Sequence, residues 1–319
     1  MRPWRSMSSR LQEKYGEKVY KIPIKLDLTC PNRDGTKGTG GCIFCGEEGG
    51  SFENEPACTP IPVQLERGRE RLRKIGAYKF IAYFQNFSNT YMPLSALKRI
   101  VEACDADDIT GIAIATRPDC LHEAHADYLA QVQRETGREI TVELGLQSPN
   151  RSTLVKINRG HSPADYVRAQ LLLRDYGLRS CTHLIPNLPW DTKEDAVEAA
   201  KLLSALGVDE VKLHALYIVK NTVLGRMYEN GEFTMGTRDE YIETVILFLR
   251  HLDERVVVQR VIGRAPEENA LFCNWNTSWW KIRDEITSQM VYNGWKQGDL
   301  RERDLGILLE DAELTERKV

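Results

Sequence analysis

Cys30, Cys42 and Cys45 are separated by eleven and then two residues. Thiolates are the usual ligands of iron–sulfur clusters. A Cys-x-x-Cys pair such as Cys42-Ile43-Phe44-Cys45 lets two sulfurs from one turn reach one metal or two neighbouring irons. Three sulfurs serving four irons leave one iron with an open position, which catalysis at a metal requires. A structural zinc site is the alternative, with Cys58 or a histidine as fourth ligand. Unliganded thiols are a third reading. The first histidine is His122, so a local zinc finger is disfavoured, and Cys58 decides between iron–sulfur and zinc.

Bulk properties set the setting for this chemistry. The eight cysteines sit in a 319-residue chain whose start is polar and lacks an apolar signal core, so reduced thiols are expected. Cys104 and Cys181 read as core residues. A net charge of −3 gives no global bias toward nucleic acid or anionic lipid, so a polyanion site requires a local patch. No run of about 18 apolar residues occurs, so no membrane span is expected. Together these features predict a cytoplasmic protein.

The elements that must position the cysteines follow from periodicity. A strand is expected over Val19–Thr29 and a glycine-rich loop over Cys30–Pro60, including Gly35, Gly38, Gly40, Gly41, Gly46, Gly49 and Gly50. Helices are expected at Val63–Ile75, Leu94–Cys104, Leu121–Thr136, Pro163–Tyr176, Lys193–Leu206 and Arg238–Leu252. Strands alternate with them at Lys79–Gln85, Gly111–Thr116, Ile140–Leu146, Leu178–Ile185, Glu210–Tyr217 and Val256–Val261. Such alternation implies βαβ units and an α/β protein with a parallel sheet. Asp191-Thr192 and Ser162-Pro163 mark helix starts. Polar clusters fall where strands end, at Gln85-Asn86, Thr116–Asp119, Gln147-Ser148 and Asn187–Pro189. A barrel would gather them at one mouth. Beyond Gly263 the pattern changes to a segment containing Trp275, Trp279, Trp280 and Trp295.

The segment LDLTCPNRDGTKGTGGCIFCGEEG resembles the cluster loop of radical S-adenosylmethionine proteins, which commonly carry an aromatic residue before the last cysteine, here Phe44. The long first gap looks like the branch containing the YhcC/YtqA-type proteins and the radical domain of the Elongator catalytic subunit. Further matching segments are TRPD at Thr116–Asp119, ELGLQS at Glu143–Ser148, INRGH at Ile157–His161, HLIPNLPWDT at His183–Thr192 and QRVIG at Gln259–Gly263. The resemblance implies a partial (β/α)6 TIM-like barrel over residues 1–262 with a small C-terminal extension over 263–319. It implies a 4Fe–4S cluster on Cys30, Cys42 and Cys45, with Cys58 a non-ligand. It also implies S-adenosylmethionine as cosubstrate, cleaved to a 5′-deoxyadenosyl radical by an electron from a reductant such as flavodoxin or ferredoxin.

Site roles follow the same resemblance. Arg159 lies twelve residues after Gln147, as in the oxygen-independent coproporphyrinogen dehydrogenase. That interval implies Arg159 for the cosubstrate carboxylate, which a forked guanidinium suits, and Gln147 for the ribose hydroxyls. His183 takes the place of a ribose-side aspartate. Gln85–Asn89 takes the place of the glycine-rich segment for the methionine amino group, leaving backbone carbonyls as contacts. Phe44 lines the cofactor site. His161 and His214 read as structural, and Arg117 as a brace at a strand end.

The Elongator-like resemblance implies tRNA as partner and a step at the C5 substituent of wobble uridine, from carboxymethylaminomethyl toward aminomethyl. Arg2, Arg5, Arg10, Lys14, Lys18, Lys21 and Lys25 outnumber Glu13 and Glu17 near the start and could track phosphates, although a solvated charged end explains them more simply. The tryptophans could stack bases or close a core. No stretch of acetyltransferase length follows the core, so that second activity is not expected. A radical enzyme acting on a metabolite or peptide, and a non-catalytic metal-binding sensor, are the competing functions.

Overall fold

The computed structural model describes residues 2–47, 49, 55–263 and 269–301. Gly50 and residues 264–268 and 302–319 of the expected extension lie outside the described residues. In chain order the helices are α1 (Met7–Tyr15), α2 (Ile61–Arg73), α3 (Leu94–Glu102), α4 (Glu123–Thr136), α5 (Arg151–Lys156), α6 (Pro163–Asp175), α7 (Lys193–Leu206), α8 (Val223–Glu229), α9 (Arg238–His251) and α10 (Trp279–Tyr292). The strands are β1 (Val19–Ile24), β2 (Lys79–Phe84), β3 (Ile109–Thr116), β4 (Glu139–Gln147), β5 (Arg179–Leu184), β6 (Glu210–Leu213), β7 (Ile218–Val219), β8 (Val257–Arg260) and β9 (Ala270–Phe272).

Seven strands build one parallel sheet in the order β1-β2-β3-β4-β5-β6-β8. They correspond to the seven strands expected from periodicity, β8 included. The sheet curls into a partial barrel. Among the described residues β1 and β8 are not paired, and an isolated bridge from Ser6 to Val258 occupies the β8 edge. The outer face carries Ile22, Phe80, Phe84, Ile112, Ile114, Val142, Leu144, Val211 and Val258, all buried beneath the helices. Each such side chain contributes about 1.5–3 kcal/mol by leaving water.

Helix starts follow the capping chemistry. Ser162 and Thr192 accept from the backbone N–H of Asp165 and Asp195, whose carboxylates reach back to the caps. Several expected boundaries shorten. The first strand stops at Ile24 rather than Thr29, because Asn86 then occupies the Leu26 backbone, taking its N–H (3.1 Å) and giving to its carbonyl (2.7 Å). β6 ends at Leu213 rather than Tyr217 as the chain turns into the site.

The polar N-terminal segment is helix α1, capped by Ser6. It lies across the end of the barrel where the strands begin. Leu11 joins Val19, Ile81, Tyr83, Ala113 and Ala115 in one buried apolar cluster. Arg10 is buried, paired with Glu139 and 3.6 Å from Glu210, and Lys14 also reaches Glu139 at 2.6 Å. Lys21 turns inward to Glu143. Arg10, Lys14 and Lys21 are therefore partners of internal carboxylates rather than a track for phosphates.

The tryptophans mostly close the core. Trp275, Trp279 and Trp295 pack against the main apolar cluster, while Trp280 is exposed. Trp275 Nε1 donates to the Gly236 carbonyl at 2.7 Å.

Candidate cofactor site at the mouth of the barrel

Cys30, Cys42 and Cys45 are free thiols that line one cavity of about 180 Å³ at the strand C-terminal end. The loop bearing them is tied to the segment after β4. Ile43 N–H donates to the Ile157 carbonyl at 3.1 Å, and Asn158 Nδ2 to the Gly41 carbonyl at 2.8 Å. Asn32 Nδ2 returns a bond to the Asn158 carbonyl. The INRGH segment thus has a physical role: Asn158 pins the cysteine loop and Arg159 enters the site beside it.

Each thiol faces its own guanidinium. Arg33 Nη2 lies 3.3 Å from Cys45 Sγ, Arg159 Nη1 3.5 Å from Cys42 Sγ, and Arg117 Nη1 4.0 Å from Cys30 Sγ. Arg117 is buried and forked onto Asp119 at 2.9 and 3.0 Å. Its role as a brace at a strand end holds, with a second nitrogen group directed at a sulfur. Burial, with Cys42 beside it, pushes the Cys45 thiol up against the opposing pull of Arg33. Arg159 is buried, donates to the Gly145 carbonyl at 2.8 Å, and has a buried Nε without a partner.

Gly145 makes room for the site. A Cβ there would lie 2.6 Å from Arg159 Nη2 and 2.7 Å from Gln147 Nε2. Gln147 itself sits at φ 74, where the register of β4 on β5 shifts, and its side chain lines the cavity. A left-handed glutamine is an uncommon, strained conformation of the kind found at functional sites. Gln85 and Phe44 line the same cavity. In the Gln85–Asn89 segment the Asn86 and Ser88 carbonyls already accept internal bonds, from Asn89 Nδ2 and Tyr91 N–H.

His183 also lines the cavity, but both ring nitrogens are engaged. Nε2 meets Glu143 at 2.7 Å and Nδ1 meets His214 Nε2 at 3.2 Å. This arrangement opposes a ribose hydrogen bond from His183 and makes it part of the wall. Burial holds its imidazole down to about 4, despite the Glu143 bond. His161 bonds the Gly145 carbonyl through Nε2 at 3.0 Å, and burial with Arg159 and Arg117 nearby holds it down to about 3.

The residues fit an iron–sulfur cluster with its cosubstrate. Three unpaired thiols open on one cavity, each near a guanidinium. A buried guanidinium nitrogen awaits an acceptor, and a cradle is kept clear by the missing Cβ of Gly145. Cys58 is exposed and does not line this cavity.

Below these, inside the barrel, lie Lys21, Tyr83, Glu143, Lys212 and Arg260, to none of which the sequence assigned a site role; Lys21 was grouped with the N-terminal charges, and Glu143 and Arg260 fell only within matching segments. Their signal was present as charges at alternating strand positions, Glu139 and Glu143 or Glu210 and Lys212.

Comparison with known proteins agrees with this geometry. Residues 34–203 match the family model of the radical SAM superfamily, and residues 208–292 match the radical SAM C-terminal domain. The chain is 34% identical to YtqA of Bacillus subtilis, covering 94% of this chain and 93% of that one. It is 34% identical to YhcC of Escherichia coli K12, over 89% of this chain and 91% of that one. A tRNA uridine(34) acetyltransferase of Methanocaldococcus infernus is 31% identical over 42% of this chain and 25% of its own length. Among solved structures, the archaeal Elp3 of Methanocaldococcus infernus superposes with a TM-score of 0.65 at 20% identity, covering 88% of this chain and 64% of that one. Methylornithine synthase superposes with a TM-score of 0.52 at 14% identity, covering 90% and 85%. By fold, motif and family match, the chain is a member of the radical SAM superfamily, the enzymes that work with a 4Fe–4S cluster and S-adenosylmethionine.

Proposed function

We propose that Cys30, Cys42 and Cys45 hold the 4Fe–4S cluster and that the adjoining cavity receives S-adenosylmethionine. The observation that carries this is the convergence of three free thiols, each faced by a guanidinium, on one cavity at the barrel mouth. Bound there, the cluster and cosubstrate supply a carbon radical able to abstract hydrogen from an unactivated position. The protein supplies orientation and the exclusion of water. Arg159 offers its unpartnered Nε to the cosubstrate carboxylate. Gln147 reaches the ribose from its left-handed position, Gln85 offers its backbone carbonyl to the methionine amino group, and Phe44 covers the cluster side.

The substrate is tRNA, with the reaction reworking a carboxymethylaminomethyl substituent on C5 of wobble uridine toward aminomethyl. Support comes from the similarity to a tRNA uridine(34) acetyltransferase and to Elongator complex protein 3 of Bos taurus, 25% identical over 72% of this chain and 38% of that one. A flavodoxin or ferredoxin donates the electron, and the reaction takes place in the cytoplasm. None of the described helices is long and apolar enough to cross a membrane. Anaerobic reconstitution with iron and sulfide, S-adenosylmethionine, reductant and bulk tRNA tests the reading. Production of 5′-deoxyadenosine with a mass change in the wobble nucleoside is the expected outcome. Production of 5′-deoxyadenosine with unchanged tRNA refutes the substrate, and a colourless zinc protein refutes the cofactor.

A further inference from the structure

The barrel interior holds two layers of charge. In the layer near α1, Arg10, Lys14 and Arg179 meet Glu139, Glu210 and Asp209, and each cation lies within 4.0 Å of a carboxylate. In the next layer Tyr83, Glu143, His183 and His214 line the cavity, and behind them the cations are Lys21, Lys212 and Arg260, with Glu143 as their carboxylate. Lys21 and Lys212 both bind Glu143, and Lys212 also donates to Tyr83 Oη at 2.7 Å. Among the described residues Arg260 pairs with no carboxylate. Its Nη2 contacts His214 Nδ1, and its Nε is buried without a partner.

The two histidines do not neutralise this excess. Glu143 can only accept, so His183 donates to it from Nε2. Neutral His183 then accepts at Nδ1 from His214 Nε2–H, which leaves His214 Nδ1 to accept from Arg260. All the bonds in the row point from Arg260 to Glu143, and among the described residues no carboxylate pairs with the Arg260 end. Burial, together with the repulsion of Lys21 and Arg260, holds Lys212 down to about 8. Three cations on one carboxylate is a costly arrangement away from water. It is resolved when an anion joins them.

We propose that the cavity-side layer is an anion subsite, in which Arg260 and Lys212, beside His214, receive a carboxylate carried by the substrate. The inference rests on the reading above and deepens it by naming the residues that would receive the carboxylate of the substrate. A guanidinium matches a carboxylate in a forked pair. A carboxylate also ends a side chain and can enter a barrel, whereas a phosphodiester lies within a polymer backbone.

The full chain, reconstituted anaerobically with cluster and S-adenosylmethionine, is titrated with N-methylglycine, its neutral amide and inorganic phosphate, with Tm as readout. A saturable rise with N-methylglycine, at least about tenfold weaker with the amide and with phosphate, is expected for a charge-assisted contact. Arg260→Met should lose about 10- to 100-fold of that affinity, Arg260→Lys should recover part of it, and the unliganded Tm of Arg260→Met should stay level or rise. Equal response to the amide overturns the subsite. A stronger response to phosphate overturns the carboxylate assignment. An Arg260→Met chain that folds poorly makes the cation structural and also overturns it. Wild-type production of 5′-deoxyadenosine keeps the cofactor reading separate: where it persists without an N-methylglycine response, the subsite alone fails.

Discussion

The two ends of the barrel interior are built from the same residue types and differ in how they are closed. Toward α1 every buried charge has an opposite neighbour, and Leu11 and Arg10 seal the end. Toward the mouth there are three thiols, an orphaned Nε on Arg159 and another on Arg260, and a surplus of cations around Glu143. Guanidinium nitrogens without a hydrogen bond occur at both ends, but Arg10 Nη1 and Arg179 Nε each lie 3.6 Å from a carboxylate, whereas among the described residues Arg159 and Arg260 have none within 4.0 Å, so the mouth is where an anion would complete the structure. The balanced end holds the barrel together, and the unbalanced end is prepared for what binds there.

The largest effect expected is at the mouth. Replacing Cys30, Cys42 or Cys45 by alanine should reduce cluster absorbance and 5′-deoxyadenosine formation to background, while Tm before reconstitution changes little. A variant that still cleaves the cosubstrate would remove the basis for the unbalanced end. At the closed end the effect should fall on stability instead. Arg10→Met strips Glu139 and Glu210 of a buried partner, which is expected to lower stability by about 3–5 kcal/mol in urea unfolding. A loss below 1 kcal/mol would show that the two ends do not differ as described.

Much of this contrast was legible in the sequence, for reasons tied to particular residues. The seven strands showed as apolar runs because their outer faces carry Ile112, Ile114, Val142 and Leu144. The cysteines showed through spacing. Helix α1 did not, because its buried face is anchored by Arg10 through ion pairs with strands more than a hundred residues away, so the segment looks polar. The inner layers were hidden for the same reason. Glu139, Glu143, Glu210 and Lys212 alternate as strand residues should, but charge on a strand reads as solvent-facing until the sheet curls and closes over it. The left-handed Gln147 carries no local marker, since neither glycine nor asparagine occupies that position.

A smaller effect should come from Gly145→Ala. The added methyl would sit 2.6 Å from Arg159 Nη2 and 2.7 Å from Gln147 Nε2, so both side chains must shift. A misplacement of about 1 Å in a binding constellation can cost about a hundredfold in rate. Equilibrium dialysis should show S-adenosylmethionine bound roughly tenfold or more weakly, with the fold retained. Unchanged affinity would take Arg159 and Gln147 out of the cosubstrate site.

Acid should act on both ends unequally. His183, held to about 4, and His214, also held low by burial and Arg260, are neutral in the folded chain while the unfolded chain takes up protons near pH 6.5. The unfolded state then binds more protons, so stability falls as pH drops from about 6.5 toward about 4. Burial is the largest cause of the shift, with Lys212 and Arg260 adding to it and Glu143 opposing it. His183→Asn and His214→Asn should flatten that slope in urea unfolding at pH 7 and pH 5. An unchanged slope would place the acid sensitivity elsewhere.

The smallest effect expected is at Cys58, and it separates three ligands from four. Cys58 is exposed and does not line the cavity, so Cys58→Ser should alter stability by no more than about 0.5 kcal/mol, as surface changes usually do. Iron and sulfide content per chain should match the wild type. A fourth thiolate would close the last coordination position and leave no open iron for the cosubstrate. Loss of metal on this substitution would therefore shift the site toward the closed tetrahedral zinc type and take the chemistry at the mouth with it.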